Sequence, residues 1–261
     1  MINKKVLKLL IIFCLLQNTA LVYADENQAH PNYWFEQAKF LLDTNSPDTN
    51  SISKAYKMIK KAVASNPSRI EHWEYAALAS YRCRDFEAAL KYHEKYFKMG
   101  GENLQAKQNY ANTLIKMEKY QKAIDAYSSL VKSNANDYKS HCLLGMLYNF
   151  THQDEKAIPH LEIVLADSSD ETINKKRKTL TISLGWSYLT INEFKKTIDL
   201  LEPYIEFNPQ HKNIDALWII AMAYKALDEC EKAHEYCGKV LDIEPRHKPC
   251  KEWFTRRSPC G

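Results

Sequence analysis

The amino-acid sequence predicts an all-α solenoid of antiparallel helix pairs with a short C-terminal cap, and three observations carry that prediction. Ala55, Ala89, Ala123 and Ala157 follow one another at intervals of 34 residues, a period long enough for one helix pair with a small residue recurring where its helices cross. A Gly-x2-Tyr cluster precedes later members of the series as Leu144-Gly145-Tyr148 and Leu184-Gly185-Tyr188, with looser copies at Ile220-Ala221-Tyr224 and at Trp73 with Ala76-Ala77. Only 6 Gly and 9 Pro interrupt 261 residues that are 45% hydrophobic, so few breakers stand against long helical runs.

Taken in order, residues 1–24 read as a secretion signal: Lys4, Lys5 and Lys8 precede an apolar run to Val22, and Ala24 offers a small residue before Asp25. The alternative is an uncleaved anchor formed by the same run. Units then occupy residues 31–247. The first carries Trp34-Ala38-Leu41 and Ala55, interrupted by the polar stretch Asp43–Asn50, which predicts a long exposed loop. The third keeps Tyr110-Ala111-Leu114. Four residues after each small residue stands a larger one: Ile59, His93, Tyr127, Leu161, then Leu201 after Thr197 and Cys237 after Ala233. Pro67, Gly101, Ala135, Ser169, Pro209 and Pro245 close the units. The spacing from Ala157 to Thr197 is 40 residues, and within the excess around Asp167–Lys178 the polar run Asn174–Lys178 contains no breaker, which predicts an extended helix. Beyond Pro245, residues 248–261 form a cap and tail, with Trp253 and Phe254 to lie on the last unit and the basic residues to face water.

Laid together, these slots resemble the tetratricopeptide repeat, whose pattern runs W-x2-L-G-x2-Y…A-x3-F…P over about 34 residues. The resemblance covers six units and implies a right-handed superhelix whose first helices line a concave groove for an extended peptide or a partner helix. Carried over by register, the groove positions are Phe35, Lys39, Glu74, Leu78, Gln108, Asn112, Cys142, Met146, Ile182, Trp186, Trp218 and Met222. The N-terminal half of that set is polar and the C-terminal half apolar. Tryptophan and methionine on an open surface suit adaptable peptide recognition. The alternative places these side chains in the core between units. A basic clamp for a terminal carboxylate, known from some members of the family, is not matched: only Asn109 and Lys139 fall in plausible positions, while Glu74, Leu78 and Leu143 occupy the others.

Enzyme signatures are missing from the sequence, which has no Gly-rich phosphate loop, no G-x-S-x-G elbow and no H-E-x-x-H pair. No cofactor or metal is expected. The chain carries 36 basic and 32 acidic residues, and loss of the leader's three lysines leaves 33 against 32. So small a balance excludes nucleic acid as a main partner, which needs a basic face. The expected partner is a protein or peptide, without membrane contact beyond the leader. The expected function is a non-catalytic scaffold in an extracytoplasmic or envelope complex, periplasmic or secreted; the alternatives are an accessory subunit of an enzyme complex and a metal or redox protein using the C-terminal Cys/His cluster.

That cluster comprises Cys230, His234, Cys237, His247, Cys250 and Cys260. Its spacing allows disulfides, free core thiols or a metal site. If a cap helix starting at Lys248 runs antiparallel to the helix bearing Cys230 and Cys237, the nested order pairs Cys237 with Cys250 and Cys230 with Cys260. Cys230 and Cys237 stand two turns apart, about 10 Å along the axis, too far to bridge one another. Cys83 and Cys142 remain as free thiols.

Overall fold

The computed structural model describes residues 32–44, 48–166, 171–207 and 213–255. The leader at 1–24, the closing residues Ser169 and Pro209, the side chain of Phe254, and Cys260 with its proposed link to Cys230 lie outside the described residues. Among those residues there are thirteen helices and no strand. They are α1 (Tyr33–Leu42), α2 (Thr49–Ser65), α3 (Ile70–Arg82), α4 (Phe86–Lys98), α5 (Leu104–Lys116), α6 (Tyr120–Ser133) and α7 (Tyr138–Phe150). After these come α8 (Asp154–Ala166), α9 (Glu171–Thr190), α10 (Phe194–Phe207), α11 (Ile214–Ala226), α12 (Cys230–Ile243) and α13 (Lys248–Thr255).

The chain divides into two compact units, one ending at Met117 and the other beginning at Glu118. In the first, each helix from α1 to α5 packs on the next, and α3 also packs on both α1 and α5. In the second, the succession runs from α6 to α13, with α9 touching α7 and α11 as well. Within each unit, successive helices thus bury apolar faces on one another, as a repeat that cannot bury its apolar face alone requires.

Local chemistry sets where the helices begin and turn. Asp48 accepts from the backbone N–H groups of Asn50 and Ser51 at 2.8 and 2.9 Å, while Asp85, Asn103 and Asp137 each accept from the N–H three residues on at 3.1 Å. These caps satisfy donors that a helix N-terminus leaves without partners. Asp48 caps α2, which therefore begins at Thr49, inside the Asp43–Asn50 stretch that the sequence assigns to a loop. Within the units, the turn from a first to a second helix passes through one left-handed residue: Arg84, His152, Asn192 and Asp228 have φ between 56° and 66°. The next residue donates its N–H five residues back, as in Asp85 to Ser80 (2.9 Å), Gln153 to Tyr148 (2.8 Å) and Glu229 to Tyr224 (2.9 Å). This pairing uses carbonyls that the helix end would otherwise expose.

At the crossings, Ala55, Ala89, Ala123, Ala157 and Thr197 are wholly buried and Ala233 is nearly so. The larger residue four positions on is buried with each of them: Ile59, His93, Tyr127, Leu161, Leu201 and Cys237. On the facing helix, a Cβ added to Gly145 would stand 2.9 Å from Leu161 Cγ and Cδ2, and one added to Gly185 would stand 2.7 Å from Leu201 Cδ1. Glycine is what lets these helices close to that distance. Tyrosines of the same motif then tie one pair to its predecessor. Tyr224 donates to Glu202 at 2.6 Å, joined by Tyr236 at 2.8 Å, and Tyr188 donates to Glu162. Burial and the acceptor carboxylate push the Tyr224 hydroxyl up to about 12, so it remains a donor at neutral pH.

The longer spacing before Thr197 is absorbed mainly by α9, which has 20 residues against 13 in α7 and α11. The cap helix α13 packs on α12, with Trp253 against the last pair. Pro159 and Pro203 lie within α8 and α10, where a breaker rule would have ended both helices.

Gly185→Ala tests the crossing. The buried Leu201 side chain must move for the added methyl, and overpacking of this kind costs about 1–3 kcal/mol in chemical denaturation; an unchanged stability would show that the crossing tolerates a wider separation.

Candidate functional site

Each unit contains one notable hollow. In the second, Ile182, Ser183 and Trp186 of α9 face Asp215, Trp218 and Ile219 of α11, with Asn149 from the end of α7, around about 300 Å3. Helical spacing places Ile182 and Trp186 one turn apart on one wall, and Asp215, Trp218 and Ile219 on the other. Trp186 is 38% exposed, unusual for so large an apolar side chain.

Fixed neighbours hold the hollow's edges. The Asn149 amide donates to the Asp154 carboxylate and to Ser187 Oγ, both at 2.9 Å, and the Ser187 hydroxyl donates to Asp154 at 3.1 Å. Trp218 is braced by His247 and Trp253, with ring centroids 5.1 and 5.0 Å away. Lys225 lies over the Trp253 ring at 4.5 Å. Two indoles and one carboxylate thus meet where a side chain could enter between two first helices.

The hollow of the first unit is polar and encloses about 480 Å3, lined by Glu74, Tyr75 and Leu78 of α3, Arg82 at that helix's end, His93 of α4 and Asn109 of α5, among others. Tyr75 donates to Asp43 at 3.1 Å, and burial together with that carboxylate pushes its hydroxyl up to about 12. Burial raises the Glu74 carboxyl above the usual range, with nearby Glu71 acting in the same direction.

The groove positions carried over by register separate into three groups. Ile182, Trp186 and Trp218 share the second unit's hollow, and Glu74 and Leu78 share the first unit's. Lys39 lies 5.6 Å above the Tyr75 ring, and Asn112 is half-buried. The remainder belong to the packing. Phe35 is 1% exposed against His72 and Tyr75, Gln108 is buried, and Cys142 belongs to the core with Leu161 and Leu180. Met146 and Met222 are partly buried against core clusters. Phe35 and Cys142 are corrected from groove to core because the following first helix packs against the face that carries them. Asn149 and Asp215 went unnoticed because each is one polar residue among many; only the helix positions show that they border the tryptophans.

In the C-terminal cluster, Cys237 Sγ and Cys250 Sγ stand 2.7 Å apart, both thiols wholly buried and free in this structure. The backbone N–H of Cys250 donates to His247 Nδ1 at 3.4 Å. Among the described residues, no three His, Cys, Asp or Glu side chains converge as metal ligands.

The sequence profile of the tetratricopeptide repeat matches residues 104–137 and 214–247. Among solved structures, YrrB, described as a TPR protein with an unusual peptide-binding site, superposes with a TM-score of 0.64 at 19% identity, over 76% of this chain and 98% of its own. The C-terminal part of a TPR repeat-containing protein from Cytophaga hutchinsonii gives 0.61 at 19%, covering 84% and 82%, and MamA gives 0.57 at 20%, covering 72% and 97%. Two stretches thus match the tetratricopeptide repeat by sequence, and the fold is that of a tetratricopeptide-repeat solenoid. Two curated relatives share part of the array: BBSome complex member BBS4 of Bos taurus, 28% identical over 136 residues, and its Drosophila melanogaster homolog, 24% identical over 166. The matches take in 52% and 62% of this chain but only 24% and 34% of those proteins.

One slot of this TPR array holds an anomaly. His93 fills the large-residue position beside Ala89, yet neither ring nitrogen has a hydrogen-bond partner, and it packs on Phe97 and Tyr110. Desolvation lowers its pKa to about 4, well under the ordinary imidazole value of 6.5. Between those values the unfolded chain binds the proton and the folded chain does not, so stability is lost as pH falls through that window. The His93 share at pH 5 is about 2 kcal/mol. His93→Leu should therefore shrink the difference in unfolding free energy between pH 7 and pH 5 by that amount; an unchanged difference would mean that the imidazole titrates normally.

Proposed function

We propose that the protein is a non-catalytic interaction scaffold, and that the hollow between α9 and α11 receives a long side chain of an extended partner segment. The observation that carries this reading is Trp186, 38% exposed on the rim of a hollow that also holds Trp218 and Asp215. An indole left open costs solvation free energy that a partner recovers, and tryptophans dominate binding energy where they anchor an interface. The carboxylate of Asp215 beside two indole faces favours a lysine or arginine, its stem along the rings and its cationic head on the carboxylate. YrrB's described peptide-binding site and the place of BBS4 in a complex are in keeping with a role in assembly. We further propose that the protein acts in an envelope or extracytoplasmic complex, on the strength of Lys4, Lys5 and Lys8 before an apolar run. No described helix is long and apolar enough to cross a membrane.

Trp186→Ala removes the open anchor without touching a buried crossing. Affinity for a partner isolated from native envelopes should fall about 30-fold, the scale of a hot-spot tryptophan, with helical circular dichroism unchanged. Undiminished affinity would place recognition elsewhere. For the location, the intact mass of native material should correspond to a chain starting at Asp25, and a cytosolic protein that retains Met1 would overturn the export reading.

A further inference from the structure

We propose that Cys237 and Cys250 are an oxidisable pair whose disulfide fastens the cap helix α13 to α12. Cys237 lies midway along α12 and Cys250 in the first turn of α13, and both side chains are wholly buried. Their sulfurs stand 2.7 Å apart, so closing to a disulfide of about 2.04 Å needs a movement of about 0.7 Å, within reach of side-chain torsions alone. The partners are those that antiparallel nesting selects, and Cys142, also a free thiol in this unit, belongs to a different core cluster.

The surroundings suit a lasting bond. Leu217, Ala221 and Val240 are buried around the pair, with Trp218 and Trp253 packed at its border, which shields the sulfurs from dissolved thiols. The same burial raises both thiols above the usual cysteine range and keeps them protonated at neutral pH. Oxidation therefore proceeds when α13 swings outward and exposes a thiol. One cysteine thiolate then attacks a small-molecule disulfide, releasing one thiol and leaving a mixed disulfide. The second cysteine displaces the other thiol as α13 docks. The two cysteines lose two protons and two electrons in total, and the small disulfide is reduced to two thiols.

The cap needs such a fastening for a physical reason. It spans 8 residues, and among its described side chains Trp253, 5.0 Å from Trp218, packs beside Cys250 on the last pair. A helix so short does not hold its conformation without tertiary contacts. Closing the link fixes Trp253 and His247, the two rings that brace Trp218.

The test uses the full chain, equilibrated with glutathione over a range of oxidised-to-reduced ratios, acid-quenched, alkylated under denaturing conditions and mapped by mass spectrometry. A peptide joining Cys237 to Cys250, two hydrogens lighter than its separate thiol fragments, is the expected product. The gap between the unfolding midpoints of the oxidised and reduced chains should be about 5 °C wider than the same gap in a Cys237→Ser, Cys250→Ser double variant, which keeps the other cysteines. Full alkylation of both cysteines at the most oxidising ratio would overturn the proposal. So would links from Cys237 to Cys260 and Cys230 to Cys250, or a gap between oxidised and reduced midpoints no wider than that of the double variant.

Discussion

The structure depends on how closely two helices can approach at the crossing within each pair. That separation is set by residues with small side chains, alanine or, at position 197, threonine on the second helix and alanine or glycine on the first. Ala157 and Gly145 meet across one such crossing, where an added methyl would run into Leu161. Because the approach is close, the residue four positions after the small one lands in the centre of the layer and is buried whatever its identity. That is why Ile59, Tyr127, Leu201 and Cys237, chemically unlike, share one fate. Burial follows the position in the lattice, and composition adapts to it.

His93 shows what the lattice imposes when the residue is a poor match. An imidazole in this slot gains ring contacts with Phe97 and Tyr110 but loses the hydrogen bonds that water would have given both nitrogens. Its neighbour in the series, Tyr127, has a phenol there and remains fully buried. Tyrosines elsewhere meet the same demand by finding carboxylates: Tyr224 and Tyr236 both donate to Glu202, so one acceptor serves two donors from successive helices. Directional ties of this kind fix rotation between pairs, which apolar packing alone leaves loosely specified.

Much of this was legible in the sequence because packing between repeats is periodic. The crossing alanines, the Gly-x2-Tyr clusters, the longer α9 and the start of the cap all follow from spacing. The groove was harder to read, since register says which face a residue occupies but not how far the next first helix covers it. Phe35 and Trp186 were assigned by the same rule, yet one is 1% exposed and the other 38%. The α3 residues His72 and Tyr75 cover Phe35. Asn149 and Asp215 were invisible for a different reason. Their significance comes from helices brought together by the fold, and no local pattern marks an asparagine that also ties α7 to Asp154 and Ser187.

The arrangement of α11 joins the candidate hollow to the cap helix α13. Trp218 presents one side to the hollow beside Asp215 and rests on His247 and Trp253 around the cap helix. Trp218 therefore cannot be treated as an open surface residue like Trp186, because its substitution would disturb both the hollow and the cap. Its geometry is set by whatever holds α13 in place, and α13 is too short to order itself. A tetratricopeptide array ordinarily distributes stability among its neighbours. Here, the interface of α12 with α13 also supports one wall of the candidate site, so the order of the cap helix and the shape of that wall are coupled.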